Sequence, residues 1–266
     1  MTTLFIDAVA LWAPTLPGWD TARAAFRGAG VPADPPLRRP VPELLPPAER
    51  RRAPDTVALA LEVASNAVAQ SGHTAADLAS VFTSAHGDLG ITDYMCRTLV
   101  DAPTAVSPTR FHNSVHNAAS GYWTMAIGCM QASSAVSAFT HSFAAGLLEA
   151  CTQCVADERA VLLVGYDIEA SGALACTTAS QGLLGLALVL APARGARSVA
   201  ALAWSLASGP SAPVPLRTAA AQSLAGNAMA DGLPLFEALA LEWREPFLMP
   251  LSATLSLELR VSDPWA

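Results

Sequence analysis

Residues 106–168 read VSPTRFHNSVHNAASGYWTMAIGCMQASSAVSAFTHSFAAGLLEACTQCVADERAVLLVGYDI, and the middle of this stretch decides the fold. Ser134-Ala135-Val136-Ser137-Ala138 alternates small polar and apolar residues, which predicts a buried strand. Residues 139–142 then lead into an apolar-periodic helix beginning near Phe143. A strand feeding a sharp turn and a helix N-terminus is where many enzymes set a nucleophile. Unpaired backbone N–H groups and the positive helix end stabilise an anion there. This turn carries Thr140-His141-Ser142 and no cysteine.

The flanks of the turn are as informative as the turn itself. Asn117-x-x-x-Gly121 in a preceding helix, the small-residue strand, the turn, the helix and a strand over 160–165 together resemble the nucleophile region of β-ketoacyl synthases. Placing Val161 on that family's strand after the elbow, without gaps, brings Thr140 to the position of the acyl-accepting cysteine. A threonine hydroxyl stays protonated at neutral pH and substitutes poorly for a thiolate. The resemblance starts earlier, at an arginine-led helix over 50–72, and covers most of 4–209. Ala187-Leu188-Val189-Leu190, Ala193-Arg194-Gly195-Ala196 and the stretch 199–209 look like the end of a synthase N-terminal half.

This resemblance implies an α/β, thiolase-like fold of a single N-terminal-type half, a mixed sheet with helices on both faces. That half spans 1–209, and a short C-terminal extension over 210–266 is expected to pack on it. A complete synthase has a second half that brings two histidines, or a histidine and an asparagine, to the cysteine. Here the remainder is a proline-bordered linker from Gly209, a helix near 233–241 and a strand near 253–261. His73, His86, His112, His116 and His141 all precede it, so the catalytic pair is missing. Losing the sister half also bares apolar surface that the tail, a partner or both must cover.

Among synthase relatives the chain resembles the short subunits of aryl polyene pigment systems. That implies a noncatalytic, chain-length-factor-like subunit pairing with a full-length ketosynthase, or with itself, and meeting the acyl carrier protein indirectly. In synthases the segment matching 107–113 reaches across the dimer and closes the partner's acyl tunnel, which places Arg110 and Phe111 near the gate, beside His112 and Asn113. The alternative is a turn whose phenylalanine packs inside its own subunit. The resemblance also puts Ser134, Ala135 and Ser137 on a strand that pairs with its counterpart at a two-fold axis, next to Thr140.

Composition limits the rest. Of 266 residues, 52% are hydrophobic and only 14% charged, which fits a heavily buried α/β chain. A net charge of −7 without a basic, aromatic-laced stripe argues against nucleic acid. The first 13 residues lack a signal peptide's positive start, and the longest apolar run, 183–191, is too short to span a bilayer, so a cytoplasmic location is expected. Five cysteines inside apolar patterns are read as small, reduced, buried residues.

Along the chain, strands are expected over 4–11, 78–84 and 184–190. Helices are expected over 19–27, from Asp55 as N-cap to Gly72, and over 89–100. Residues 31–54 are too proline-rich for either and form a surface excursion. It ends in Arg50-Arg51-Arg52, a solvated run or a contact for an acidic carrier protein.

Three constellations invite other chemistry. His112 and His116 stand four apart, the spacing of two zinc ligands on one helix face, but Asn113 replaces the glutamate of the zinc-protease pattern and no third ligand is evident. Cys151-Thr152-Gln153-Cys154 has redox or zinc spacing late in the helix after the turn, where helix packing is the simpler reading. No metal or cofactor is therefore expected. Thr140, His141 and Ser142 offer a rival enzyme reading, a stand-alone acyltransferase or thioester hydrolase, which needs His141 to turn back onto a neighbouring hydroxyl.

Overall fold

A computed structural model describes residues 1–30, 32, 34–209 and 212–265. The chain runs through β1 (Thr2–Ala13), β2 (Leu16–Pro17), α1 (Trp19–Phe26), α2 (Pro47–Arg50), α3 (Asp55–Ser71), β3 (Ala79–Thr83) and α4 (Leu89–Asp101). It continues with α5 (Pro108–His112), α6 (Ala118–Ile127), β4 (Ser133–Val136), α7 (Ser142–Ala156), β5 (Val161–Asp167), β6 (Leu184–Ala191) and β7 (Ala200–Ser208). The tail adds α8 (Ala219–Gln222), α9 (Leu233–Leu241), β8 (Phe247–Pro250) and β9 (Leu255–Ser262). Val31, at the start of the expected excursion, and Pro210 of the expected linker lie outside the described residues.

One sheet carries the molecule, in the order β4-β3-β5-β6-β1-β7-β9-β8, with β2 paired to β1. β4, β3 and β5 are parallel and the remaining pairs antiparallel, so the expected mixed sheet is present. β3, β5 and β6 are buried along their whole length, as strands covered on both faces must be. Val161 and Leu163 of β5 enter a core with α1, α7 and α9, while Leu162, Val164 and Tyr166 enter a second core with α3 and α6. Helices therefore lie on both faces.

β1 is the strand that joins the two sides of the sheet, and it does so at a stagger. Thr2 to Ile6 pair with β7, and Phe5 to Trp12 pair with β6. A bulge between Ile6 and Ala8 inserts Asp7 and changes the parity of the side chains. Leu4 and Ile6 enter the first core at even positions, and beyond the bulge Val9, Leu11 and Ala13 enter it at odd ones. Asp7 is fixed there by the Ser198 hydroxyl at 2.7 Å and by His73 Nε2 at 2.8 Å.

Several local expectations need correction. The strand before the elbow is not buried: β4 pairs only with β3 among the described residues, and Ser133 and Ala135 are exposed. A strand with one neighbour and no helix beyond it has nothing to bury its free edge. Asp55 is not the N-cap of α3; Pro54 holds that position, and the Asp55 carboxylate pairs with Arg39 at 2.8 Å instead. Gly72 does end the helix in a left-handed conformation, φ 79°. Cys96 and Cys176 are exposed, because α4 buries only Leu89 and Cys176 sits in a surface turn. Cys129, Cys151 and Cys154 are buried. No helix among the described residues is long and apolar enough to cross a membrane.

Candidate functional site

β4 ends at Val136, residues 139–141 form a single 3-10 turn, and α7 begins at Ser142. The turn is sharp enough to hold Phe139 at φ 54°, a left-handed conformation that costs a bulky side chain energy and that surrounding structure must enforce. The enforcing contacts are local. Ser142 Oγ donates to the Phe139 carbonyl at 2.8 Å and accepts from the Ala138 N–H at 3.0 Å, while Thr83 Oγ1 donates to the Ser142 carbonyl at 2.7 Å. The helix can approach β3 this closely because residue 146 is glycine; a Cβ there would stand 2.8 Å from Thr83 Cγ2.

The Ser142 hydroxyl is therefore spent on backbone. Thr140 and His141 make no side-chain hydrogen bond among the described residues, so the base and hydroxyl that a stand-alone hydrolase needs are not joined. Thr140 and His141 instead line an open pocket of about 700 Å³. Its far wall comes from the tail: Val214, Leu216, Leu248 and Met249 supply apolar surface, and Asn227 and Asp231 polar groups.

Asp231 is the residue sequence reasoning missed. Its Oδ2 accepts the Ala144 N–H in the first turn of α7 at 3.2 Å, and the Phe143 N–H faces the same carboxyl. The residue as a whole is half-buried, yet Oδ1 is sealed from solvent and has no hydrogen-bond partner. Burial, helped by nearby Asp167, raises the carboxyl's pKa to about 8 against the pull of those N–H groups. The available signal was Ala230-Asp231-Gly232 ahead of an apolar run, which reads as a cap for the following helix rather than for one ninety residues earlier. Asp167, at the end of β5, accepts from the Ser84 hydroxyl at 2.7 Å and the Ala85 N–H at 2.9 Å; burial raises its pKa, while His86, 3.8 Å away, opposes the shift.

The expected interface residues fall into two groups, one on β4 and the residues after it and one on the 107–113 segment. Ser134 and Ser137 are tied down, Ser134 Oγ accepting from Gln153 Nε2 at 3.0 Å and Ser137 Oγ donating to the Ala85 carbonyl at 2.9 Å, while Ala135 between them is free and exposed. On the 107–113 segment, the Arg110 guanidinium lies 4.0 Å from the centre of the Tyr94 ring, and Phe111 does not pack inward but is exposed. The His112 ring meets Tyr122 edge-on, and Asn113 is buried with Oδ1 unpartnered.

Other expected groupings come apart. α5 ends at His112 and His116 lies beyond it, where His116 Nε2 meets the Ser84 carbonyl at 3.0 Å, so the two histidines do not share a helix face. Cys151 and Cys154 lie on the buried face of α7, and burial raises both thiol pKa values, which suits packing and opposes thiolate chemistry. Among the described residues no three His, Cys, Asp or Glu side chains are grouped to hold a metal ion.

The family model of the beta-ketoacyl synthase N-terminal domain matches residues 23–242. No curated protein matches the chain. A chain in the complex of the ketosynthase ApeO with its chain length factor ApeC from Xenorhabdus doucetiae superposes with a TM-score of 0.74 at 22% identity, covering 98% of this chain and 100% of that one. The ishigamide ketosynthase/chain length factor gives 0.73 at 16% identity, covering 98% and 100%. The AntDE:AntF complex, a type II polyketide acyl-carrier protein with its ketosynthase bound to the hexaketide, gives 0.72 at 10% identity, covering 99% and 100%. The shared property at these identities is the thiolase-like fold.

Proposed function

Because this chain belongs to the beta-ketoacyl synthase N-terminal domain family, we propose that it is a noncatalytic, chain-length-factor-like subunit that pairs with a complete ketosynthase. The observation that carries this reading is the bare edge of β4 beside an elbow that lacks a cysteine. An open strand edge presents a row of unpaired N–H and C=O groups and invites another strand. Exposed apolar side chains accompany it: Met130 just before the strand is 95% exposed, Phe139 follows it in the elbow, and Met125 is exposed on α6, which packs against β4. Such a surface suits burial against a partner.

In this role β4 pairs with its counterpart at the two-fold axis, and the 107–113 segment, led by Arg110 and Phe111, reaches the partner's acyl tunnel. The pair acts in the cytoplasm on growing polyene or fatty-acid-like chains carried by an acyl carrier protein, which docks on the ketosynthase rather than on this subunit. Solved complexes that join a ketosynthase to its chain length factor support the pairing, since they share this fold over nearly the whole chain. The stand-alone hydrolase reading has no geometric support, because the Ser142 hydroxyl is already engaged and His141 bonds neither neighbour.

Co-expression with candidate ketosynthases, followed by size-exclusion chromatography with light scattering, tests the proposal. The expected product is a one-to-one complex. A chain that stays alone with every candidate sinks the reading, and a homodimer of this chain replaces the heterodimer with self-pairing.

A further inference from the structure

The tail turn over residues 227–232 meets α7 at its N-terminus and is built to stay there. Asn227 Nδ2 faces the carbonyls of Asp167, Gln181 and Gly182 at 3.2, 3.0 and 3.2 Å, and its Oδ1 accepts the Met229 N–H at 3.0 Å. Two glycines make room for this packing. A Cβ on Gly165 would stand 2.8 Å from Met229 Sδ, and one on Gly232 would stand 2.7 Å from Phe143 Cγ. The turn thereby sets Asp231 over the first turn of α7, where helix N–H groups have no intrahelical partner.

We propose that Asp231 is a built-in occupant of the anion position at the N-terminus of α7, and that it closes this helix end to any external anion. The Ala144 and Phe143 N–H groups, which would otherwise stabilise a thiolate or an oxyanion at the elbow, are directed at the chain's own carboxyl. Because burial keeps that carboxyl protonated at neutral pH, the occupant accepts the N–H without placing a negative charge there. A nucleophile at position 140 consequently gains little from the helix. This inference depends on the elbow alone and holds with or without a ketosynthase partner.

The test uses the full chain carrying Cys96→Ser, Cys176→Ser and Thr140→Cys, so that alkylation by chloroacetamide, located by mass spectrometry, reports on position 140. Its rate between pH 6 and 10 gives the thiol pKa. With Asp231→Asn, which keeps a neutral carbonyl over the helix, the thiol titrates near the ordinary value of about 8.5, and with Asp231, whose own proton leaves near pH 8, it titrates there or higher. Asp231→Ala frees the N–H groups, lowers that value and raises the rate at pH 7 by about tenfold. A folded Asp231→Ala variant with the parental profile overturns the proposal. Amide hydrogen exchange on the unmodified chain is a second readout: Ala144 is expected to be protected although it lies in a first helical turn. Exchange at the rate of an unbonded first-turn amide overturns the proposal even if Asp231→Ala fails to fold.

Discussion

Gly232 in the tail and Phe143 at the start of α7 are in such close contact that a Cβ on Gly232 would stand 2.7 Å from the ring's Cγ and 2.6 Å from Leu186 Cδ1. Both neighbours are fully buried and neither can swing away. Gly232→Ala is therefore expected to cost about 1–3 kcal/mol, visible as a melting temperature several degrees lower. Gly121→Ala is the control, since nothing lies within 4 Å of the added methyl and a helix favours alanine. Equal melting temperatures for Gly232→Ala and the parent would show that the tail does not grip the elbow.

Ala135→Trp tests the pairing edge. Because Ala135 is exposed, the large side chain should leave the isolated chain's stability within about 0.5 kcal/mol of the parent, rather than overpacking a core. It should nevertheless abolish the complex with a ketosynthase as seen by light scattering. A variant that keeps its partner at native stoichiometry places the interface elsewhere.

Thr140→Cys should fold normally and still fail to condense malonyl units. Thr140 has no side-chain hydrogen bond to lose among the described residues, so the cost is about 0.5 kcal/mol or less. Residues 142–266 hold no histidine to complete a synthase site. Elongation of an acyl-thioester by this variant alone, measured by mass spectrometry of the products, would mean that His141 works with the new thiol.

Stability should fall as pH rises toward 8. In the folded chain Asp231 keeps its proton up to about pH 8, whereas the unfolded carboxyl releases it near 3.8. Folding thus favours the protonated form, and its contribution is complete below the lower value, shrinks across the interval and is gone above the upper one. Asp167, also raised and facing His86, acts in the same direction, and His141 lines the pocket shared with Asp231. Asp231→Asn should flatten the change in urea midpoint between pH 5 and pH 8. An unchanged slope would assign the effect to other groups.

The helical part of this fold was legible because its signals are local. Val57, Leu61, Ala64 and Val68 recur at helical spacing, and all four are buried in α3. The exposure of β4 was not legible in its own pattern, since alternating small residues look the same whether a strand's second neighbour is present or missing; only the family resemblance put this strand at a pairing edge. β8 was missed for a related reason: Phe247-Leu248-Met249-Pro250 ends in proline and becomes a strand only through its pairing with β9. The elbow could be placed at Thr140, but not its occupant, because the contact between Asp231 and Ala144 joins residues far apart in the chain and no short-range pattern encodes it.

The stagger of β1 has an architectural consequence. β7 starts its pairing at Ile6, so on that side Asp7, Ala8 and Val9 meet no strand and the sheet has a step, like two floors sharing one landing. The hollow of about 740 Å³ lined by Asp7, Ala8, Val9, Ser198 and Ala200 occupies that step. Trp19 and Arg23 of α1, Ala69 and Gln70 of α3 and Leu239 of α9 also line it, so the step in the sheet makes one wall of the hollow and the helices make the rest.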